Sequence, residues 1–508
     1  MTNENRLLVD GRNSLTYGTV NQSSSSLQDS QQTTLPNVQN QGESNTIKVY
    51  KRRWYILTVY GLMSMTQCAV WNTFSPISEV GVHVFGWDTA GLSLLTSWGP
   101  ITYVLCTFQF SWILDKKGLR PACLISAFFV AAGTGLRCIT TERAVATPLI
   151  HLGQFINGLG GIIGYGGAPV VSAEWFPASE RTTATAIAGA FNNLGLALSF
   201  VIGPYLVPLR KLYPNNTTMN ASTIFVEEVV VDNYTYLSNS FIDYDIPKER
   251  DDLMLYMYYS CGWSVFCLLL FLIYFPSKPQ LPPSPTASMQ RLEFKVGLKK
   301  LLVNRTFWLL CLTFGVSNGI LGCWQGVLDV NLSDHGVSQD MAGWLGFYGV
   351  IAACVAALCV ARVADIFAKQ MKWFLIGLYL SGGACFTIFV LALISVVPDT
   401  AVVLYSTYII ANLLLEASSP LFFEMACEVT YPIAEGITNL VLTLVNSIAG
   451  LLFLFVQLIP NIGTMWENWC LLGGIFVGIP VLFLYRESYN RLDIDIIVEE
   501  KPKEEVKS

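Results

Sequence analysis

Apolar stretches of about 20 residues recur along this chain, and that recurrence restricts its fold more than any single motif does. Such a stretch crosses the ~30 Å hydrocarbon layer of a bilayer as an α-helix, with every backbone hydrogen bond made inside the segment. Of the 508 residues, 53% are hydrophobic and only 13% charged, with mean hydropathy +0.48. No ordinary soluble domain of this size is so apolar. The reading is an all-α membrane protein with twelve transmembrane helices, expected at 54–76, 91–113, 121–139, 146–170, 181–206, 254–275, 306–328, 342–362, 372–396, 401–427, 433–459 and 466–485. Residues 1–46 are Ser-, Gln- and Asn-rich, carry no signal peptide and are expected to form a disordered tail.

Basic residues orient the helices, because Lys and Arg are retained on the cytoplasmic side. Lys48, Lys51, Arg52 and Arg53 precede the first helix; Lys116, Lys117 and Arg120 fill the second connection, and Lys299, Lys300 and Arg305 precede the seventh helix. The alternate connections 77–90, 329–341, 397–400 and 460–465 hold no Lys or Arg, so both termini are expected to be cytoplasmic. The long loop 207–253 then lies on the far side. It carries Asn-x-Ser/Thr triplets at Asn215, Asn216, Asn220 and Asn233, and Asn331 opens another on the same side, so glycosylation is expected there. The division that follows is a bundle at 47–275, a Pro-rich cytoplasmic linker at 276–305, a second bundle at 306–486 and a tail at 487–508. The linker ends in "RLEFKVGLKKLL", read as a short interfacial helix with basic anchors. The thirteen Cys are scattered in apolar stretches, which fits neither a disulfide framework nor a metal site. The net charge of −6 says little about nucleic acid, because the basic residues sit in short loops rather than forming a patch, and no nucleic acid is expected as a partner.

The two halves repeat. Trp71 aligns with Trp324, Trp98 with Trp344, Asp115 with Asp365, Asn157 with Asn412, and "FPASE" at 176–180 with "YPIAE" at 431–435, at offsets between 246 and 255 residues. A near-constant offset over five matches implies two parallel six-helix bundles related by an axis along the membrane normal.

"SWILDKKGLR" at 111–120 resembles the motif Gly-x-x-x-Asp-Arg/Lys-x-Gly-x-Arg of the major facilitator superfamily, with Asp115, Lys116, Gly118 and Arg120 in place and Ser111 where Gly is usual. "VWNTFSPI", "GTGLRC", "ERTTATAIA", "MAGWLGF", "FFEMACEVTYPIAEGIT" and "RESYNRLDIDIIV" are similar to segments of solute carrier family 49, over residues 48 to about 498. The resemblance implies the major facilitator fold and a secondary transporter of a small organic metabolite in the lysosomal membrane, electrogenic or proton-coupled. Relatives carry choline-like amines or a B6-type vitamin, or have been linked to haem. Haem attracts axial His or Cys ligands, and this chain has three His in all, which disfavours it.

Site residues follow from depth along the helices. Trp71, Gln154 and Trp324 lie at similar heights, so two rings and an amide could sandwich a flat heterocycle or a quaternary amine, with Asn72 and Gln325 beside the rings as hydrogen-bonding groups. The resemblance to choline carriers supports Trp71, Gln154 and Trp324. Glu416 falls near the bilayer midplane, about 18 Å along the helix from Glu428, and is a proton-coupling candidate together with Glu424 and His151. Glu428 and Glu435, with Glu180 after Pro177, read as helix-start and gate residues, and Asp115, Arg120 and Asp365 are expected to join them at the cytoplasmic end. Leu7 and Leu8 form a candidate sorting signal for adaptors, imperfect because Asn3 stands where an acid is usual; the plasma membrane is the alternative location. The expected partners are a small-molecule substrate, protons and the lipid bilayer, with no cofactor or metal and a monomeric state. Nothing resembles a catalytic triad or a nucleotide fold, so no enzyme is expected; a non-transporting sensor or scaffold of the same fold is the competing class.

Overall fold

The computed structural model describes residues 47–505 apart from 88, 209–210, 213–228, 232–233, 237–242, 290, 334–336, 338, 368, 399, 458 and 460–461. The first bundle contains α1 (Arg53–Trp71), α2 (Ser78–Phe85), α3 (Thr89–Lys117), α4 (Leu119–Arg137), α5 (Arg143–Gly166), α6 (Ala168–Trp175), α7 (Arg181–Leu206) and α8 (Ile246–Ile273). Between α7 and α8, β1 (Lys211–Leu212) pairs with β4 (Asp243–Tyr244) and β2 (Val229–Val231) with β3 (Tyr234–Tyr236), both antiparallel. The linker forms α9 (Pro285–Ser288) and α10 (Phe294–Val303). The second bundle contains α11 (Arg305–Gln325), α12 (Leu328–Ser333), α13 (Gln339–Ile366), α14 (Met371–Leu393), α15 (Ala401–Glu416), α16 (Ser419–Thr430), α17 (Glu435–Gln457) and α18 (Met465–Leu484), and α19 (Asn490–Glu505) follows it.

With α5–α6 and α15–α16 each taken as one interrupted crossing, twelve helical crossings result. Nine helical stretches among the described residues are long and apolar enough to cross a membrane; α1, α3 and α5 are the crossings that fall short. Polar residues within them lower their hydropathy. These three carry Ser64, Thr66 and Gln67, or Thr96, Ser97 and Thr102, or Gln154 and Asn157.

The halves meet along two related seams, α3 against α17 and α7 against α13. At the basic end of the bundle the α7–α13 seam is tied by polar contacts. Asp365 of α13 accepts from the Thr182 and Thr183 backbone N–H groups at 3.1 and 2.9 Å, capping the start of α7. Mid-seam, Tyr103 of α3 meets Thr443 of α17 through their hydroxyls.

Two expected helix bounds are corrected. The first helix stops at Trp71 rather than 76, capped by the Asn72 backbone, and a 3-10 turn begins at Ser75 with Pro76 in it. The helix expected to begin at 433 begins at Glu435; Pro432 sits before it in a turn, with a cis Tyr431–Pro432 peptide.

Candidate substrate cavity and gate

Proline placement builds the central site. Pro100 inside α3 has no N–H, so the carbonyl four residues back, Thr96 O, loses its helical donor. The indole Nε1 of Trp71 fills that vacancy, donating to Thr96 O at 3.0 Å. Gly99 beside it leaves room for the ring; a Cβ there would stand 2.8 Å from Trp71 Nε1. Behind α1, Gln154 donates Nε2 to the Trp71 carbonyl at 3.1 Å and accepts from Arg137 at 2.7 Å. Arg137 is itself buried and holds Val70 O at 3.1 Å, so the end of α1 is gripped from two sides.

The same device appears twice more, at matching places in the two halves. Pro169 follows the break between α5 and α6, and Pro420 follows the break between α15 and α16. Four residues before each lies a carbonyl that the proline cannot pair, at Tyr165 and at Glu416. Interrupted helices at corresponding positions of two repeats mark binding sites in membrane transporters. Both residues line one central cavity of about 200 Å³, reached also by Gln67, Trp71, Tyr103 and Gln325. Asn193 of α7 lines both of the cavities that Glu416 lines, and Asn446 of α17 lines the central one with Tyr165. Each pair has one member in each half. Glu416 is the one acidic residue among the described residues lining the cavity, and it also borders a small second cavity of about 40 Å³ with Thr185, Asn192, Asn193 and Ser419.

The expected two-ring sandwich does not form. Trp324 is fully buried within the second bundle, donating Nε1 to Asn468 Oδ1 at 2.9 Å and packing on Phe386, Phe389 and Tyr408. Neighbours on a helix point ~100° apart, so only one of an adjacent pair faces a given cavity. In the first half that residue is Trp71, while Asn72 turns away to donate to Ser199 Oγ at 2.8 Å. In the second half it is Gln325, which donates to Asn412 Oδ1 at 2.5 Å, while Trp324 turns away. Gln154 supports the cavity wall from behind rather than lining it. The aromatic faces that do line it with Trp71 are Tyr103 and Tyr165, which sequence reasoning missed.

At the basic end, charges are gathered into a fully paired cluster. Arg491 at the start of α19 binds Glu424, Glu428 at 3.2 Å and Glu435 at 3.4 Å. Glu428 Oε2 also accepts from the Arg491 and Leu492 backbone N–H groups at 3.0 and 3.1 Å. Arg291 from the linker adds a bond of 2.6 Å to Glu435. One turn along α19, Asp495 pairs with Arg181 of α7 at 3.0 Å and accepts from the Thr286 N–H of α9 at 2.9 Å. Thus α19 ties α16 and α17 of one half to α7 of the other. Arg491 is a stronger base than an ordinary arginine; burial opposes its charge, but the surrounding glutamates outweigh that.

The gate expectations divide. Glu428 and Glu435 lie in this network, Asp365 caps the start of α7, and Glu180 pairs with Arg53 at 2.8 Å. Glu424, expected as a coupling candidate, is bound by Arg491 and lies in the gate instead. Asp115 pairs with its neighbour Lys116 at 3.5 Å. Arg120 is exposed, and its side chain joins no ion pair among the described residues. His151 does not line the cavity; its Nδ1 accepts from Trp98 Nε1 at 3.0 Å. Asn331, expected to carry a glycan, is fully buried, and its Nδ2 donates to Thr464 O at 3.2 Å and to Glu467 at 2.8 Å. A sugar on that nitrogen would break both bonds and has no space. Asn215, Asn216, Asn220, Asn233, Leu7 and Leu8 lie outside the described residues. Arg491, Arg181, Arg291 and Asp495 were not foreseen, although Arg491 is signalled by "RESYNRLDIDIIV", where an arginine and two aspartates interrupt an apolar pattern.

Comparison with known proteins agrees with this architecture. The Major Facilitator Superfamily profile matches residues 59–210, and the MFS/sugar transport protein profile matches residues 177–430. The chain is 36% identical to a solute carrier family 49 member 4 homolog of Xenopus tropicalis, over 89% of this chain and 94% of that one. It is 25% identical to the choline/ethanolamine transporter flvcr2b of Danio rerio, over 87% of this chain and 86% of that one. The solved structure of the proton:xylose symporter XylE superposes with TM-score 0.62 at 14% identity, covering 87% of this chain and 98% of that chain, which is a likeness of fold. Relatives and fold alike are those of transporters rather than enzymes. The chain belongs to solute carrier family 49 of the major facilitator superfamily.

Proposed function

We propose that this transporter is proton-coupled and electrogenic, and moves a small organic metabolite, an amine or a B6-type heterocycle, across the lysosomal membrane by alternating access. The basic end, with both termini, is assigned to the cytoplasm because Lys and Arg collect there. The observation that carries the reading is Glu416: a lone carboxylate on the cavity wall, beside a helix break, sharing that wall with Asn193 of the other half. An intramembrane acid without a fixed cationic partner is a proton or cation site by default. Ionised, it accepts a charge-assisted hydrogen bond from Asn193 and holds α15 against α7; protonated, it loses that strength and releases the seam. Proton binding and bundle movement are thereby one event.

The cavity supplies the substrate class. Trp71, Tyr103 and Tyr165 offer ring faces, and Gln67, Asn192 and Gln325 offer amides, around a space smaller than the ~300–1,000 Å³ of drug-sized sites. That volume suits a small ring or amine and disfavours haem. Ring faces around one carboxylate suit a cation, and a relative named as a choline/ethanolamine transporter supports that choice. Carriage of a choline-like amine at the plasma membrane is the second reading. Uptake by proteoliposomes holding the full chain, with pyridoxine and choline as separate probes at two internal pH values, tests the proposal. Accumulation driven by the pH gradient and lost in Trp71→Ala is expected. Gradient-independent uptake would overturn coupling, and undiminished uptake by the variant would overturn the cavity as the substrate site. No uptake of any probe under either gradient would favour the sensor or scaffold class.

A further inference from the structure

The linker helix α10 is strapped to the turn between α16 and α17 that carries the gate glutamates. Ahead of it, the Leu292 N–H donates to Pro432 O at 3.3 Å; behind it, Asn304 Nδ2 donates to Val429 O at 3.4 Å. Between these ends, Leu301 is fully buried and Gly297 lies so close to Ile433 that a Cβ would stand 3.3 Å from its methyl. One face of α10 is therefore committed to the protein.

The other face is uncovered and mixed in character. Lys295, Lys299 and Lys300 are exposed, and none of them forms an ion pair among the described residues. Val296, Leu302 and Val303 beside them are 45%, 51% and 74% exposed. With Asn304, the three lysines, Val296 and Val303 line an open groove. Just beyond, Trp308 at the start of α11 donates Nε1 to Leu302 O at 2.9 Å, an amphipathic ring at the point where the chain enters the membrane. Lysines alternating with exposed aliphatics at that depth match a helix lying in the headgroup layer. Water would disfavour the aliphatics, and hydrocarbon would disfavour the lysines; only the boundary between them satisfies both.

We propose that the outer face of α10 is a docking surface for anionic phospholipid headgroups, whose phosphates bind Lys295, Lys299 and Lys300 while Val296, Leu302 and Val303 enter the acyl boundary. This site is separate from the substrate cavity and holds whether or not the proton-coupled reading does. Its occupant presses on the α16–α17 turn through the two strapping hydrogen bonds, which places the lipid in contact with the gate.

Native mass spectrometry of the purified full chain tests it, with phosphatidylinositol 4,5-bisphosphate, phosphatidylcholine and soluble inositol trisphosphate as separate probes. Each lysine near an anionic surface contributes roughly fivefold, so K295Q/K299Q/K300Q is expected to weaken retention of the anionic lipid about a hundredfold while phosphatidylcholine binding stays unchanged. The matched triple K48Q/K51Q/K117Q, which neutralises exposed lysines elsewhere at the same end, is expected to retain the lipid as the wild type does. Equal retention by the α10 variant, or an equal loss in the matched triple, would overturn the site. Saturation by inositol trisphosphate at the same concentration as by the lipid would overturn a lipid surface in favour of a free-phosphate site.

Discussion

The carboxylates of the gate and of the central cavity keep different company. In the gate, Glu424, Glu428 and Glu435 share Arg491, with Arg291 and two backbone N–H groups completing the set. In the cavity, Glu416 has amides and rings around it and no cation among the lining residues. Paired acids hold a geometry, because breaking the pair leaves a charge stranded; an unpaired acid beside a cavity is free to change its proton. The contrast assigns holding to one level and switching to the other.

The contrast can be broken most forcefully at Arg491. Arg491→Ala strands Glu424 and Glu428 and leaves Glu435 to Arg291 alone, at a cost on the order of 3–5 kcal/mol to the closed gate. Cys427, buried in the cluster and accepting from Asn439 at 3.0 Å, should then alkylate faster, alongside a lowered unfolding temperature. Unchanged labelling would show that the cluster does not hold the gate. Next comes Glu416→Gln, which is expected to leave folding intact and cut the response of uptake to the pH gradient about 5- to 150-fold, the span of an ordinary coupling free energy. Substrate-induced thermal stabilisation should persist in that variant; retained gradient response would remove Glu416 from coupling. Smaller still is Gly99→Ala, whose new methyl displaces the Trp71 ring and should raise KM roughly fivefold, about 1 kcal/mol, with kcat little changed. Last is Arg120→Gln, expected within about 0.5 kcal/mol of wild type in unfolding and near wild type in transport, because that exposed side chain joins neither level. A large loss there would mean that the gate extends further than the Arg491 cluster.

Much of the fold was legible because membrane crossing is written in composition. The bilayer demands long apolar helices, and helix positions followed from that demand, with ends shifted by a few residues where Asn72 and Pro432 intervene. The repeat was legible too, and its most informative element is one the alignment passed over, the paired interruptions ahead of Pro169 and Pro420. Glu416 was found by depth alone. Trp324 was misplaced by the same reasoning, since depth says how far along a helix a residue lies and not which way it points. Rotation about the axis is decided by what the neighbouring helices offer, here Asn468 and three rings.

The sequence by itself determined that this chain spans a membrane and that its halves repeat, because these depend on composition and spacing along one dimension, and its motifs carried the family resemblance. Tertiary structure alone decided which face of each helix meets the cavity and who partners the gate glutamates. Arg491 lies 56 residues beyond Glu435 in the chain and still within 3.4 Å of it. Pairings across such separations arise only when packed helices bring distant segments together, and no local pattern records them.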